Sequence, residues 1–146
     1  MKSFFTVLFV FAVLYSSAYA QTDHKWKPLV VNDIKKVWVD EVSLESVKGD
    51  KFEVWLLQMH VPPLKMDGIK GEVYRAKTLY AVDLAVVKYG IEQVIYYDAD
   101  NNEIYRHNYK ITDYEDNLKY TYPVMEKSSI HMVIQELYAH RAEKKN

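Results

Sequence analysis

The sequence predicts an α+β fold: an antiparallel meander of five to six strands with a C-terminal amphipathic helix packed on one face. Three observations predict it. Lys36 to Val42 and Lys51 to Met59 alternate apolar residues with period two, the signature of strands with distinct faces. Glu92 to Asp98 and Glu103 to Tyr109 flank the polar turn Ala99-Asp100-Asn101-Asn102, the pattern of an antiparallel hairpin. Ile130, Val133, Ile134, Leu137 and Tyr138 recur at the spacing of one helix face.

Before the fold begins, Lys2, the apolar run Phe4 to Tyr15 and the small residues Ser16, Ser17, Ala18 and Ala20 read as a secretory signal peptide over residues 1–20. Its apolar stretch of about twelve residues is shorter than the roughly twenty that span a bilayer. Residues 21–146 are then one domain, long enough for a single core. Without Lys2 the chain carries 18 basic and 20 acidic residues, a net charge of −2 with both signs interspersed. That offers no electrostatic footprint for nucleic acid or an anionic membrane. The chain has no cysteine, so its stability must come from packing, and no cysteine can carry an acyl anchor. With no Asn-x-Ser/Thr acceptor either, export to a bacterial periplasm or beyond is the expectation.

Along the exported chain, Gln21 to Asn32 reads as a polar lead-in. Lys36 to Val42 is a strand with Val37 and Val39 on one face and Trp38 and Val42 on the other, and Ser46 to Lys51 is a turn. The next strand sets Phe52, Val54 and Leu56 against Trp55, Leu57 and Met59. Pro62-Pro63 and Asp67-Gly68 mark Val61 to Gly71 as a loop. Glu72 to Tyr89 reads as extended, with Tyr80, Val82, Leu84 and Val86 on one face and a break at Tyr89-Gly90. Ile111 to Tyr122 shows no period. Ser128 or Ser129 caps the helix, and Leu84 with its face-mates is expected to pack on the helix stripe.

Motifs for chemistry are sparse. Asp98, Asp100 and Asn102 share the first spacings of a calcium loop, but Glu103 stands where that loop needs glycine and Tyr109 where it needs glutamate, so a hairpin turn is the reading. His24, His60, His107, His131 and His140 form no pair at metal spacing, and there is no phosphate loop, nucleophile elbow or cysteine nucleophile. No metal, cofactor or catalytic residue is assigned. Tyrosines on or beside strands suit both a half-buried sheet and a protein-binding face. The candidate binding residues are Arg75, Lys77 and Lys88, which set charge beside Tyr74 and Tyr89.

Several strings carry a resemblance: Val37-Trp38-Val39-Asp40, Ser43-Leu44 and Phe52-Glu53-Val54-Trp55; Leu79 to Leu84, Lys88-Tyr89 and Tyr96-Tyr97-Asp98; and Pro123 through Ser129 with the closing helix. Together they are similar to the surface-adhesin protein E family of Gram-negative bacteria. The resemblance implies the same sheet-and-helix fold and binding of host extracellular-matrix or serum glycoproteins through the central strands, here roughly Glu72 to Tyr97. It also implies that a helix-to-sheet disulfide has been lost, with Leu84 and either Tyr138 or Ala139 in the family's cysteine positions. The expected role is therefore a non-enzymatic, exported, adhesin-like binding protein. The alternative is a soluble periplasmic accessory or inhibitor of a cell-envelope partner. The partner expected is a protein, a second copy of the chain in a homodimer included. Mass spectrometry of exported material should find Gln21 as the mature N-terminus, and an intact chain from Met1 in the membrane fraction would refute cleavage.

Overall fold

A computed structural model describes residues 23–109 and 119–144; the predicted signal peptide and most of the Ile111 to Tyr122 segment lie outside the described residues. The elements are β1 (Trp26–Val31), β2 (Lys36–Asp40), α1 (Glu41–Glu45), β3 (Lys51–Lys65), β4 (Glu72–Asp83), β5 (Lys88–Tyr97), β6 (Glu103–Asn108), β7 (Tyr122–Pro123) and α2 (Ser129–Glu143). Strands β1 to β6 form an antiparallel meander in chain order, and β7 pairs beside β5 as the seventh strand. The predicted α+β meander with its C-terminal helix is present.

The period-two residues of the central strands form the floor of the core. Val37, Val39, Phe52, Val54, Leu56 and Val82 are buried together with Leu44 of α1 and Ile130, Val133, Ile134 and Leu137 of α2. Each such aliphatic side chain contributes roughly 1.5–3 kcal/mol on full burial. Helix α2 begins where Ser128 Oγ accepts the His131 amide at 3.2 Å, so Ser128 is its cap. Polar ties hold it to the sheet: Lys27 of β1 pairs with Glu136, and Arg141 donates to the Gly49 carbonyl at 2.8 Å. Tyr138, expected in the buried stripe, is 53% exposed and lies at its solvent edge.

The structure corrects the element boundaries in five places. The lead-in contains β1, whose alternation is masked by Lys27 and Pro28 and whose register shifts between Pro28 and Val30. Strand β2 ends at Asp40, and Val42 belongs to α1, exposed, instead of sharing a face with Trp38. Strand β3 continues through Pro62-Pro63 to Lys65. Its pairing with β4 jumps from Met59↔Arg75 to Leu64↔Val73, so the prolines fall where no ladder bond is required.

The fourth correction concerns the break after β4, which comes at Leu84 to Val87 and not at Tyr89-Gly90. Asp83 Oδ1 accepts the Ala85 amide at 2.9 Å and starts the turn. Leu84 thus reaches the core from a turn, partly buried, while Val86 is 55% exposed. The shared strand face predicted for these two ends at Val82. Fifth, Gly90 sits buried inside β5 because the returning chain crosses directly over it. A Cβ there would stand 1.8 Å from the Lys119 carbonyl oxygen. Lys119 is pinned at this crossing by Glu92, and by Glu53 at 3.5 Å.

The Asp98 turn is as read: Asp98 Oδ1 accepts the amides of Asp100 at 2.9 Å and Asn102 at 2.8 Å. Among the described residues no acidic and histidine cluster could hold a metal, and no helix is long and apolar enough to cross a membrane. Gly90→Ala should destabilise the domain by about 1–3 kcal/mol or more, because a backbone must move to admit the methyl. Gly49→Ala, with nothing within 4 Å of its Cβ, is the control that should melt within a degree or two of the parent. Thermal unfolding of the two variants checks this.

Candidate functional site: an aromatic and cationic cleft on the open sheet face

Residues paired across an antiparallel sheet share a face, so the registers define rows. One row on the face away from the core is Pro28, Trp38, Leu57, Lys77, Ile95 and Arg106; another is Met59, Arg75, Tyr97 and Glu103; a third is Trp55, Leu79 and Gln93. Trp26, opposite Asp40, joins them. All three tryptophans of the chain therefore lie half-buried on this face. The two described helices bury their apolar residues on the other.

Within this face His24, Trp26, Leu57, Arg75, Lys77, Tyr97 and Asn101 line a cleft of about 320 Å³. His24 is set between aromatic rings, 5.1 Å from Trp26 and 5.7 Å from Trp55, centroid to centroid. Its anchor is Asp40, which is 2% exposed at the end of β2. Asp40 Oδ2 bonds His24 Nδ1 at 3.0 Å and accepts from Ser43 Oγ at 2.6 Å, while Oδ1 accepts the Lys25 amide at 3.0 Å. Burial pushes the Asp40 pKa up, but the bonds from Ser43, His24 and Lys25 outweigh it and hold the carboxyl below its ordinary range. Ser43 spends its proton on Asp40 and not on the imidazole, so this trio is a clamp for the N-terminal segment and lacks the hydroxyl-to-base bond of a nucleophile relay.

The cations have a different setting. Lys77 Nζ stands over the Trp55 ring, 4.6 Å from its centroid. Burial, with Arg106 adding to it, keeps Lys77 below the ordinary lysine value. Arg75 Nη2 donates to the carbonyls of Asp98 at 3.4 Å and Ala99 at 3.2 Å, and its Nε is buried without an acceptor. Arg106 is held in a fork by Glu103, at 2.8 and 2.6 Å.

Of the five residues expected to bind, the structure brings Arg75 and Lys77 together in this cleft. Tyr74 turns to the other face and donates to Glu72 at 3.4 Å. Lys88 is exposed at the far end of β5, opposite Asp83; the eight positions of β4 between its row and that of Arg75 span about 26 Å. Tyr89 packs on the core between Tyr80, at 5.8 Å, and Tyr122, at 5.5 Å. His24, Trp26, Tyr97 and Asn101 complete the cleft without having been expected there. The one signal in the sequence was the placing of Trp38, Trp55 and Leu57 opposite the core-facing residues.

A larger cleft of about 490 Å³ lies between Ser46 to Glu53 and Lys119-Tyr120. Two of its three lysines already have carboxylates, Lys51 with Asp83 at 3.8 Å and Lys119 with Glu53, and Lys48 is exposed. Compared with family models, curated proteins and solved structures, the chain has no match in any of the three.

Asp40 has a lower pKa folded than unfolded, so its stabilisation is complete above the ordinary carboxylate range and is lost as acid takes the pH through the depressed value. Asp40→Asn should cost about 2–3 kcal/mol at pH 7. Urea unfolding at pH 7 and pH 2 should show the gap between variant and parent shrinking in acid; a constant gap would refute the assignment.

Proposed function

We propose that this chain is a non-enzymatic binding module whose protein partner docks on the open face of the sheet. The observation that carries this is the gathering of Trp26, Trp38 and Trp55 around Arg75 and Lys77 on the face opposite the core. Half-buried tryptophan, tyrosine and arginine are the residue types that anchor protein interfaces, since they offer large contact area and a polar tip at low entropic cost. These tryptophans lie away from the helix, on a face that also buries Val73 and Ile95.

The resemblance to the adhesin E family supplies the direction of the proposal: an exported protein binding a matrix or serum glycoprotein. The open-face part of the central segment, Arg75 to Tyr97, would make that contact, and Lys88 and Tyr89 would not. Surface plasmon resonance over immobilised matrix and serum glycoproteins tests it. Arg75→Ala combined with Lys77→Ala should weaken binding at least tenfold, about 1.4 kcal/mol, while Lys88→Ala leaves it unchanged and all variants melt close to the parent. Binding that survives the double substitution would overturn the placement of the site.

A further inference from the structure

The cleft holds two cations that lack a direct ion pair among the described residues. Arg75 and Lys77 stand two residues apart on β4 and point to the same side. Neither has an ion-pair partner among the described residues. The carboxylates that act on Lys77 are Asp40 and Glu103, and both are engaged. Asp40 is taken by His24, Lys25 and Ser43, and Glu103 by both ends of the Arg106 fork. Lys77 is partly withdrawn from water over Trp55, and Arg75 is fixed by two turn carbonyls with a buried Nε left over. Asp98 acts on Arg75, and Asp40 and Glu103 act on Lys77, without forming an ion pair with either cation, so an incoming carboxylate would add the charge-assisted bonds they lack.

We infer that the Arg75–Lys77 cleft is a carboxylate site, and that it takes the acidic side chain of a partner protein segment whose neighbouring residues lie on Trp26 and Tyr97. This inference rests on the open-face binding reading and adds the chemistry of the partner. The cleft volume of about 320 Å³ accommodates an acidic side chain with part of its backbone, and the surrounding rings exclude water from the ion pair, which strengthens it. Arg75 is the bidentate-capable member and Lys77 the point charge.

Titrations followed by the indole N–H and backbone amide NMR signals of the protein test this with three probes: an N-acetylated, C-amidated hexaglutamate peptide, the hexaglutamine equivalent, and acetate. Hexaglutamate should give saturable shifts centred on Trp26, Trp55 and the amides of Arg75 and Lys77. Hexaglutamine should bind at least tenfold more weakly. Arg75→Gln with Lys77→Gln should reduce hexaglutamate affinity at least tenfold while preserving the rest of the spectrum, and Lys88→Gln should not change it. Equal binding of the two peptides, shifts scattered over the surface, or an affinity untouched by the double substitution would overturn the carboxylate site. Acetate binding as tightly as hexaglutamate would overturn the protein segment as its source. Glycoprotein binding that persists on the open face without any hexaglutamate shift would reject this inference and leave the binding reading intact, whereas peptide shifts without glycoprotein binding would do the reverse.

Discussion

The packing of α2 against one face of the sheet is the interaction on which the other features depend. Val133 and Leu137 meet Val37, Val39, Val54 and Val82 in a core with no covalent staple. Because the helix draws the aliphatic residues of β2, β3 and β4 to one side, strand alternation sends Trp38, Trp55, Leu57, Arg75 and Lys77 to the other. The two faces are thus not independent designs. The period that builds the core also fixes which side chains are left to meet something else.

The second face is organised by a smaller constraint, the buried carboxylate of Asp40. It stands at the junction of β2 and α1 and holds the segment before β1 through His24 and Lys25. One wall of the cleft therefore depends on a residue in a neighbouring strand. The opposite wall depends on the turn between β5 and β6, whose carbonyls hold Arg75 and whose Asn101, at φ 68°, lines the opening. The turn geometry comes in turn from Asp98, which gathers the amides of Asp100 and Asn102.

The core was legible because its residues are local: Phe52, Val54 and Leu56 announce a strand face, and Ile130, Val133, Ile134 and Leu137 a helix face, within single windows. What was not legible was long-range. Pro62-Pro63 argues for a loop until the bulge opposite Tyr74 is known, since only pairing shows that no N–H donor is needed at those two positions. Gly90 looks like a breaker until Lys119 is found lying across it. Arg75 and Lys77 were singled out by charge, but spacing along the chain could not separate them from Tyr74, Lys88 and Tyr89. Nor could it bring His24, from a segment that reads as a polar lead-in, beside Trp55.

The crossing at Gly90 also decides how the sheet ends. Beyond it the outer side of β5 is divided: Gln93 to Tyr97 pair with β6, and Lys88 and Tyr89 pair with the two residues of β7. Among the described residues no long continuous edge faces outward on that side, and the short outer strand carries Arg106 and Glu103. At the opposite margin β1 is interrupted by Pro28 and by its register shift. Strands blunted in this way make poor templates for the backbone of another chain. A sheet with margins of this kind is guarded against stacking into fibrils through its backbone.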